Sequence, residues 1–355
     1  MKHLPRIILI LLTVLLFTSC RKSHESPTRY TAFDDLFDHS KPIAFGEDED
    51  IYVFCGQQIR SELEPVILAS LEREVALVYN EKYFNVIFSD INEMERLMRF
   101  KNLLFIGTIE EGDPVSRYLQ KALDPKLQAR VKQSTGEIFQ NKNRFVKDQL
   151  IVQVIGVDNE RLAGLFTLSA NRIFDLFLDR YTKRLAYQTY QMKIIEQDFF
   201  EPYPFSLKIP NNYRLYANDK NNRFLSFLYR ARIQNGKHPD KFISVYYEPM
   251  EQNVLDEKWL IDTRTHIGKV QFGDSLNVET LRTESFKFAG YQGFRLSGAW
   301  INPEKFAGGA FQSYAFWDEK TRQAYLIDTM TFFPEGGKLP VLMELFMVAS
   351  TLKVK

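Results

Sequence analysis

Between residues 50 and 200 the chain alternates short apolar runs with amphipathic stretches, and this alternation limits the fold more than any other feature. "IYVFCG" (51–56), "YFNVIFSD" (83–90), "NLLFIGTI" (102–109) and "DQLIVQVIGV" (148–157) have the length and composition of strands. Between them lie segments of helical period. Ile59, Leu63, Val66, Ile67, Leu71 and Val75 are at helical spacing after the first run, and Leu162, Leu165, Phe166, Ile173, Phe174 and Phe177 share one face after the last. Asp90 and the pair Asp113–Pro114 are helix-start signals. Strands that return to a sheet through helices pair in parallel, so 49–200 is expected to form an α/β layer domain.

From about 201 the pattern changes to consecutive strands. "PFSLKIP" (204–210), "RFLSFLYRAR" (223–232) and "KFISVYYEPM" (241–250) come first, followed by an amphipathic helix over 254–273. "LRTESFKFAG", "YQGFRLSGAWIN" and a hairpin in "GAFQSYAFWDEKTRQAYLIDTMTFF", turning at Asp318–Thr321, come next. "LPVLMELFMVASTLKV" reads as a closing helix. Residues 201–355 are therefore expected to form an antiparallel sheet domain with flanking helices, and the class of the whole chain is α+β.

The N-terminus carries Lys2 and Arg6, then the eleven-residue apolar block Ile7–Phe17, then Thr18, Ser19 and Cys20. The block has signal-peptide length and is short of the roughly 20 apolar residues a membrane helix needs. The arrangement resembles the lipobox of bacterial lipoproteins, with Phe17 standing where Leu is usual. The resemblance implies cleavage after 1–19, acylation of Cys20 and a polar tether over 20–48. Arg21 after the cysteine, in place of Asp, implies an outer-membrane anchor with the folded part facing the periplasm. An uncleaved anchor or a secretory signal cut elsewhere is the alternative.

The 46 Lys and Arg balance 45 Asp and Glu, which leaves no basic surplus for a nucleic-acid partner. Of the two cysteines, acylation of Cys20 leaves only Cys55, so no intrachain disulfide is expected, and its apolar run marks Cys55 as a buried, inert thiol. No H-E-x-x-H, G-x-S-x-G or phosphate-cradle motif is present. We therefore expect no metal, no cofactor and no catalytic residue visible as a motif. Gly308–Gly309 reads as a place of close backbone approach. The remaining candidates are aromatic: Trp300, Tyr314 and Trp317, in a cluster over 300–317, are a candidate binding surface if they do not belong to the core.

"MERLMRFKNLLFIGTI", "IIEQDFFEPYPFSLKIPNNYRL" and "FAGGAFQSYAFWDEKTRQAYLIDTMTFFP" resemble a family of envelope lipoproteins, found chiefly in the Bacteroidetes and defined as a domain of unknown function. The likeness covers about 50–355. The C-terminal half loosely resembles the PsbP/Mog1-like architecture. Neither likeness implies an activity. The expected role is a non-catalytic binding or assembly module, held to the membrane by lipid, with an envelope protein, glycan or lipid as partner. An envelope enzyme of hydrolase type, with a site assembled from distant residues such as Asp262, Arg264 and His266, and a structural accessory are the alternatives. Cys20→Ser is expected to move the protein from the membrane fraction to the soluble periplasm; a variant that stayed membrane-bound after a high-salt wash would rule the lipid anchor out.

Overall fold

The computed structural model describes residues 28–110, 112–231 and 238–355; residues 1–19, Cys20 and the start of the expected tether lie outside them. The first half runs β1 (Asp50–Cys55), α1 (Gln57–Leu71), β2 (Glu74–Ala76), β3 (Asn80–Lys82), β4 (Asn85–Phe88), α2 (Met94–Leu97) and β5 (Asn102–Thr108). It continues with α3 (Pro114–Ala122), α4 (Pro125–Gln133), β6 (Gly136–Lys142), β7 (Leu150–Gly156) and α5 (Asn159–Thr189). The sheet order is β4-β1-β5-β7-β6, parallel except for the edge strand β6. Of the three inner strands, β5 and β7 are buried along nearly their whole length, which is why they read as unbroken apolar runs. Asp113 caps α3 as its sequence suggests, accepting from the backbone N–H of Val115 at 2.9 Å and of Ser116 at 3.1 Å.

The second half runs β8 (Phe205–Ser206), β9 (Arg214–Asp219), β10 (Phe224–Tyr229), β11 (Asp240–Pro249), α6 (Glu257–Ile267), β12 (Ser275–Phe288), β13 (Tyr291–Asn302), β14 (Ala307–Asp318), β15 (Gln323–Phe332), α7 (Leu339–Ala349) and β16 (Lys353–Val354). Seven strands form an antiparallel sheet in the order β12-β13-β14-β15-β11-β10-β9. The β14–β15 turn falls where Asp318 predicts it, with Asp318 Oδ2 accepting from the backbone N–H of Thr321 at 2.8 Å. The chain is thus a parallel layered unit followed by an antiparallel one, the α+β class expected.

The layers stack as α3 and α4, the first sheet, α1 and α5, then α7, the second sheet and finally α6. The sequence of α7, "LPVLMELFMVA", is apolar almost all round, the composition of a helix buried on more than one side. One face lies on Tyr314, Phe316 and Phe288 of the second sheet, and α7 also packs on α5 of the first half. A single buried cluster therefore joins Val53 and Leu104 of the first sheet to Ile243 and Tyr325 of the second. A hairpin of the first half adds a polar tie. Glu81 on β3 accepts from the backbone N–H of Lys338 at 2.9 Å and of Leu339 at 2.8 Å, capping α7 across the sequence.

Two expected boundaries are corrected. The sheets divide near residue 200, but the core does not. Residues 28–48, expected as solvated tether, lie on the first half instead. Phe37 packs on Tyr187 with ring centroids 4.0 Å apart, and Tyr30 on Tyr190 at 4.9 Å. Phe45 pairs with the backbone of Arg99 and Lys101. Tyr30, Phe33 and Phe37 supply the apolar surface that a solvated segment would lack; their acidic neighbours hid that signal. A fragment of residues 201–355 is expected to lack a cooperative thermal transition, because it strips α7 of α5 and of its Glu81 cap. A sharp calorimetric transition in that fragment would show that the antiparallel half needs no shared core.

Candidate functional site

The outer face of the antiparallel sheet is covered by α6 along only part of its length. Beyond the end of α6 the sheet floor is open, and a cavity of about 560 Å³ lies there. Side chains two apart on a strand share a face, so three strand ends each contribute a pair: Asp240 and Phe242 from β11, Trp300 and Asn302 from β13, and Met330 and Phe332 from β15. Tyr216 and Phe272 close one side. Tyr216, Phe242 and Phe272 form an aromatic trio with centroids 5.2–5.6 Å apart.

Two glycines make this geometry possible. In register opposite Trp300 stands Gly309. A Cβ there would lie 2.0 Å from the carbonyl oxygen of Thr331 and 3.0 Å from the Trp300 indole nitrogen, so only glycine lets the indole cross β14 and donate to the Thr331 carbonyl at 3.3 Å. At the end of α6, Gly268 leaves room for Asp274, whose Oδ1 would be 2.1 Å from an added Cβ. The helix expected over 254–273 accordingly stops at Ile267, widens over Gly268–Phe272 and turns at Gly273 with φ 70°. That turn points Phe272 and Asp274 at the cavity.

The polar groups around the cavity are mostly committed to one another. On the rim, Arg230 Nε donates to Asp240 Oδ2 at 2.8 Å. Asn302 Nδ2 donates to the Phe272 carbonyl at 3.3 Å, and its Oδ1 accepts from the Lys305 backbone N–H at 3.0 Å. Asp274 faces the cavity on one side and the buried guanidinium of Arg264 on the other, at 3.3 and 3.5 Å. Arg264 also donates to Asp328 Oδ1 at 3.0 Å and stacks over Phe311, 4.8 Å from the ring centroid. Asp328 belongs to a polar row across four strands, Ser226–Ser244–Asp328–Ser313, in register on β10, β11, β15 and β14. Burial pushes the Asp328 carboxyl up, against the pull of Arg264. Burial also opposes the Arg264 charge, but Asp328 and Asp274 outweigh it and raise the guanidinium above its usual value. This buried charge group anchors α6 to the sheet beside the cavity.

The three aromatics singled out in the sequence do not converge. Trp300, 6% exposed, lines the cavity. Tyr314 is fully buried on the opposite face of the sheet, stacked on Phe288 at 4.8 Å and packed against Phe346 of α7, and is therefore no part of a surface. Trp317 is half-buried and donates to the Met250 carbonyl at 2.9 Å. Asp262, Arg264 and His266 do not assemble a site either: Arg264 points inward, while Asp262 and His266 are exposed. Half-buried Cys55 has its thiol pushed up to about 12 by burial, which keeps it protonated and unreactive. Among the described residues no three His, Cys, Asp or Glu side chains are grouped to hold a metal ion, and no helix is long and apolar enough to cross a membrane. Cavity residues missed in the sequence include Phe242, Phe272 and Met330. Alternation placed Phe242 and Met330 on a face and helical period placed Phe272, but which strand ends meet depends on pairing across more than 80 residues, as in Phe242 with Met330.

Residues 192–351 match the model of a family described as a domain of unknown function (DUF4837). No curated protein sequence matches the chain. Among solved structures, the Ran-binding protein Mog1p of Saccharomyces cerevisiae is similar with a TM-score of 0.30 and 9% identity over 43% of this chain and 92% of that one. LpqN of Mycobacterium tuberculosis, described as involved in cell envelope biogenesis, is similar with a TM-score of 0.26 and 12% identity over 42% of this chain and 83% of that one.

Arg264→Met is expected to cost about 3–5 kcal/mol in a urea melt, since it leaves two buried carboxylates without a counter-charge. Replacing Arg264, Asp274 and Asp328 together by apolar residues should recover most of that loss. A single variant that melted with the parent would mean that the acids are hydrated in the folded protein.

Proposed function

We propose that the protein is a non-catalytic envelope module, anchored by acylated Cys20 in the outer membrane and facing the periplasm, that holds an apolar ligand chain in the cavity beside α6. The observation that carries the reading is the cavity's construction. Its floor and walls are Phe242, Phe272, Trp300, Met330 and Phe332, and its acids are tied to arginines. Apolar walls with a few placed polar groups are the usual build of a small-ligand site. Carboxylates held by guanidinium groups orient and neutralise, and they are poorly placed to shuttle protons. The volume of about 560 Å³ accommodates part of an acyl chain or a compact apolar headpiece.

Lys305 and His238 line the cavity together with the Arg230–Asp240 pair, so the polar end of a bound molecule would meet these groups and its apolar part the aromatic floor. The anchor matters to this reading because it would keep the cavity within reach of membrane lipid and of proteins at the membrane surface.

The test uses the apolar fluorophore N-phenyl-1-naphthylamine and a variant that fills the cavity. Ala307→Phe, at the start of β14, is expected to weaken probe affinity about tenfold or more while leaving the melting midpoint near that of the parent. Equal affinity in the two proteins would remove the cavity as the binding site.

A further inference from the structure

The β13–β14 hairpin that borders the cavity ends in a feature that folding does not account for. Phe306 is 97% exposed, and its φ of 48° places it in the left-handed region. Glycine or asparagine is the usual residue there, and a bulky aromatic is strained. The tip is nevertheless held firmly. Pro303 restricts the turn, Asn302 Oδ1 accepts from the Lys305 backbone N–H at 3.0 Å, and the Phe306 N–H reaches the Pro303 carbonyl at 3.4 Å. A well-held turn therefore presents a ring to solvent, at a cost in both strain and exposed apolar area.

The surroundings define what this ring meets. Ile301, 44% exposed, stands on the same hairpin. Asn302 and Lys305 reach the Phe272 carbonyl, which joins the hairpin to the turn carrying Val270, 54% exposed, and the exposed Lys269. Apolar tips flanked by Lys269 and Lys305 combine a group that enters hydrocarbon with cations that meet phosphate. Glu304 is the one acid on the tip. Asn302, Lys305 and Ala307 of this hairpin also line the cavity, so the exposed ring is carried by the hairpin that borders the enclosed space.

We infer that the 302–307 hairpin, with Phe306 as its wedge, docks on an anionic phospholipid surface, so that the cavity opens toward lipid. The inference deepens the proposed function by naming where the cavity's ligand comes from, and it rests on that reading only for what enters the cavity.

The test uses the chain from residue 20 carrying Cys20→Ser, so that no acyl anchor contributes, with vesicles of phosphatidylethanolamine and phosphatidylglycerol. Phe306→Ser is expected to lower vesicle affinity roughly tenfold or more, as for the loss of one buried aromatic. Phe306→Gly should lose binding equally and melt at or above the parent temperature, since glycine relieves the backbone; a clear fall in its melting point would make Phe306 structural and overturn the inference. Phe306→Trp should retain binding, shift its emission to the blue with vesicles and be quenched by acyl-brominated lipid. Phe306 does not line the cavity, so Phe306→Ser should bind N-phenyl-1-naphthylamine like the parent; lost vesicle binding there leaves the cavity reading standing, and failed probe binding in the parent leaves this inference standing. Vesicle binding unchanged by Phe306→Ser, as expected if the rim meets a peptide partner instead, would overturn it.

Discussion

Both sheets depend on one helical layer. α5 covers the inner face of the parallel sheet, α7 covers the inner face of the antiparallel sheet, and the two helices pack on each other. Neither helix can leave this layer without exposing apolar surface, and at about 25 cal/mol per Å² that exposure is the largest favourable term either half would forfeit. Glu81 caps the start of α7 from the other half of the chain, so polar and apolar contributions point the same way. The antiparallel sheet is therefore presented with one face committed to the core. Any site on that sheet must lie on its other face or at its ends.

On that other face, the length of α6 decides the site. The helix is fastened by the Arg264 guanidinium between Asp274 and Asp328, which are buried together with it. Such a group is expensive to bury and unforgiving of the loss of one member, so it specifies where α6 sits more than it adds stability. Because α6 ends at Ile267 and the chain turns at Gly273, the sheet beyond is left without a cover. Trp300, crossing over Gly309, supplies part of the floor. The cavity and the Phe306 hairpin lie side by side because β13 contributes to the one and leads into the other.

Local pattern carried much of this. The strand runs at 51–56, 102–109 and 148–157, the Asp113 cap, the turn at Asp318 and the closing helix all appear where periodicity and turn chemistry place them. Each is decided by residues close in sequence. β6 and β9 escaped notice because edge strands are half-solvated and their alternation is weak, as the exposed Arg214, Leu215 and Tyr216 illustrate. The segment over 28–48 escaped for a different reason. Its acids outnumber its aromatics, yet Phe37 finds Tyr187 on α5 and Tyr30 finds Tyr190 just past its end, partners that only the folded chain brings near.

By itself the sequence determined the α+β class, most of the strands and helices, the near-neutral charge and the lack of a local catalytic motif. These are properties of neighbouring residues, and periods of 2 and 3.6 encode them directly. Tertiary structure alone decided that the two halves share a core, that Tyr314 faces inward while Trp300 faces the cavity, and that Arg264 meets acids 10 and 64 residues away. Alternation tells that Trp300 and Tyr314, an even number of residues apart on different strands, each have a face; strand pairing and register decide which face meets a helix and which is left open.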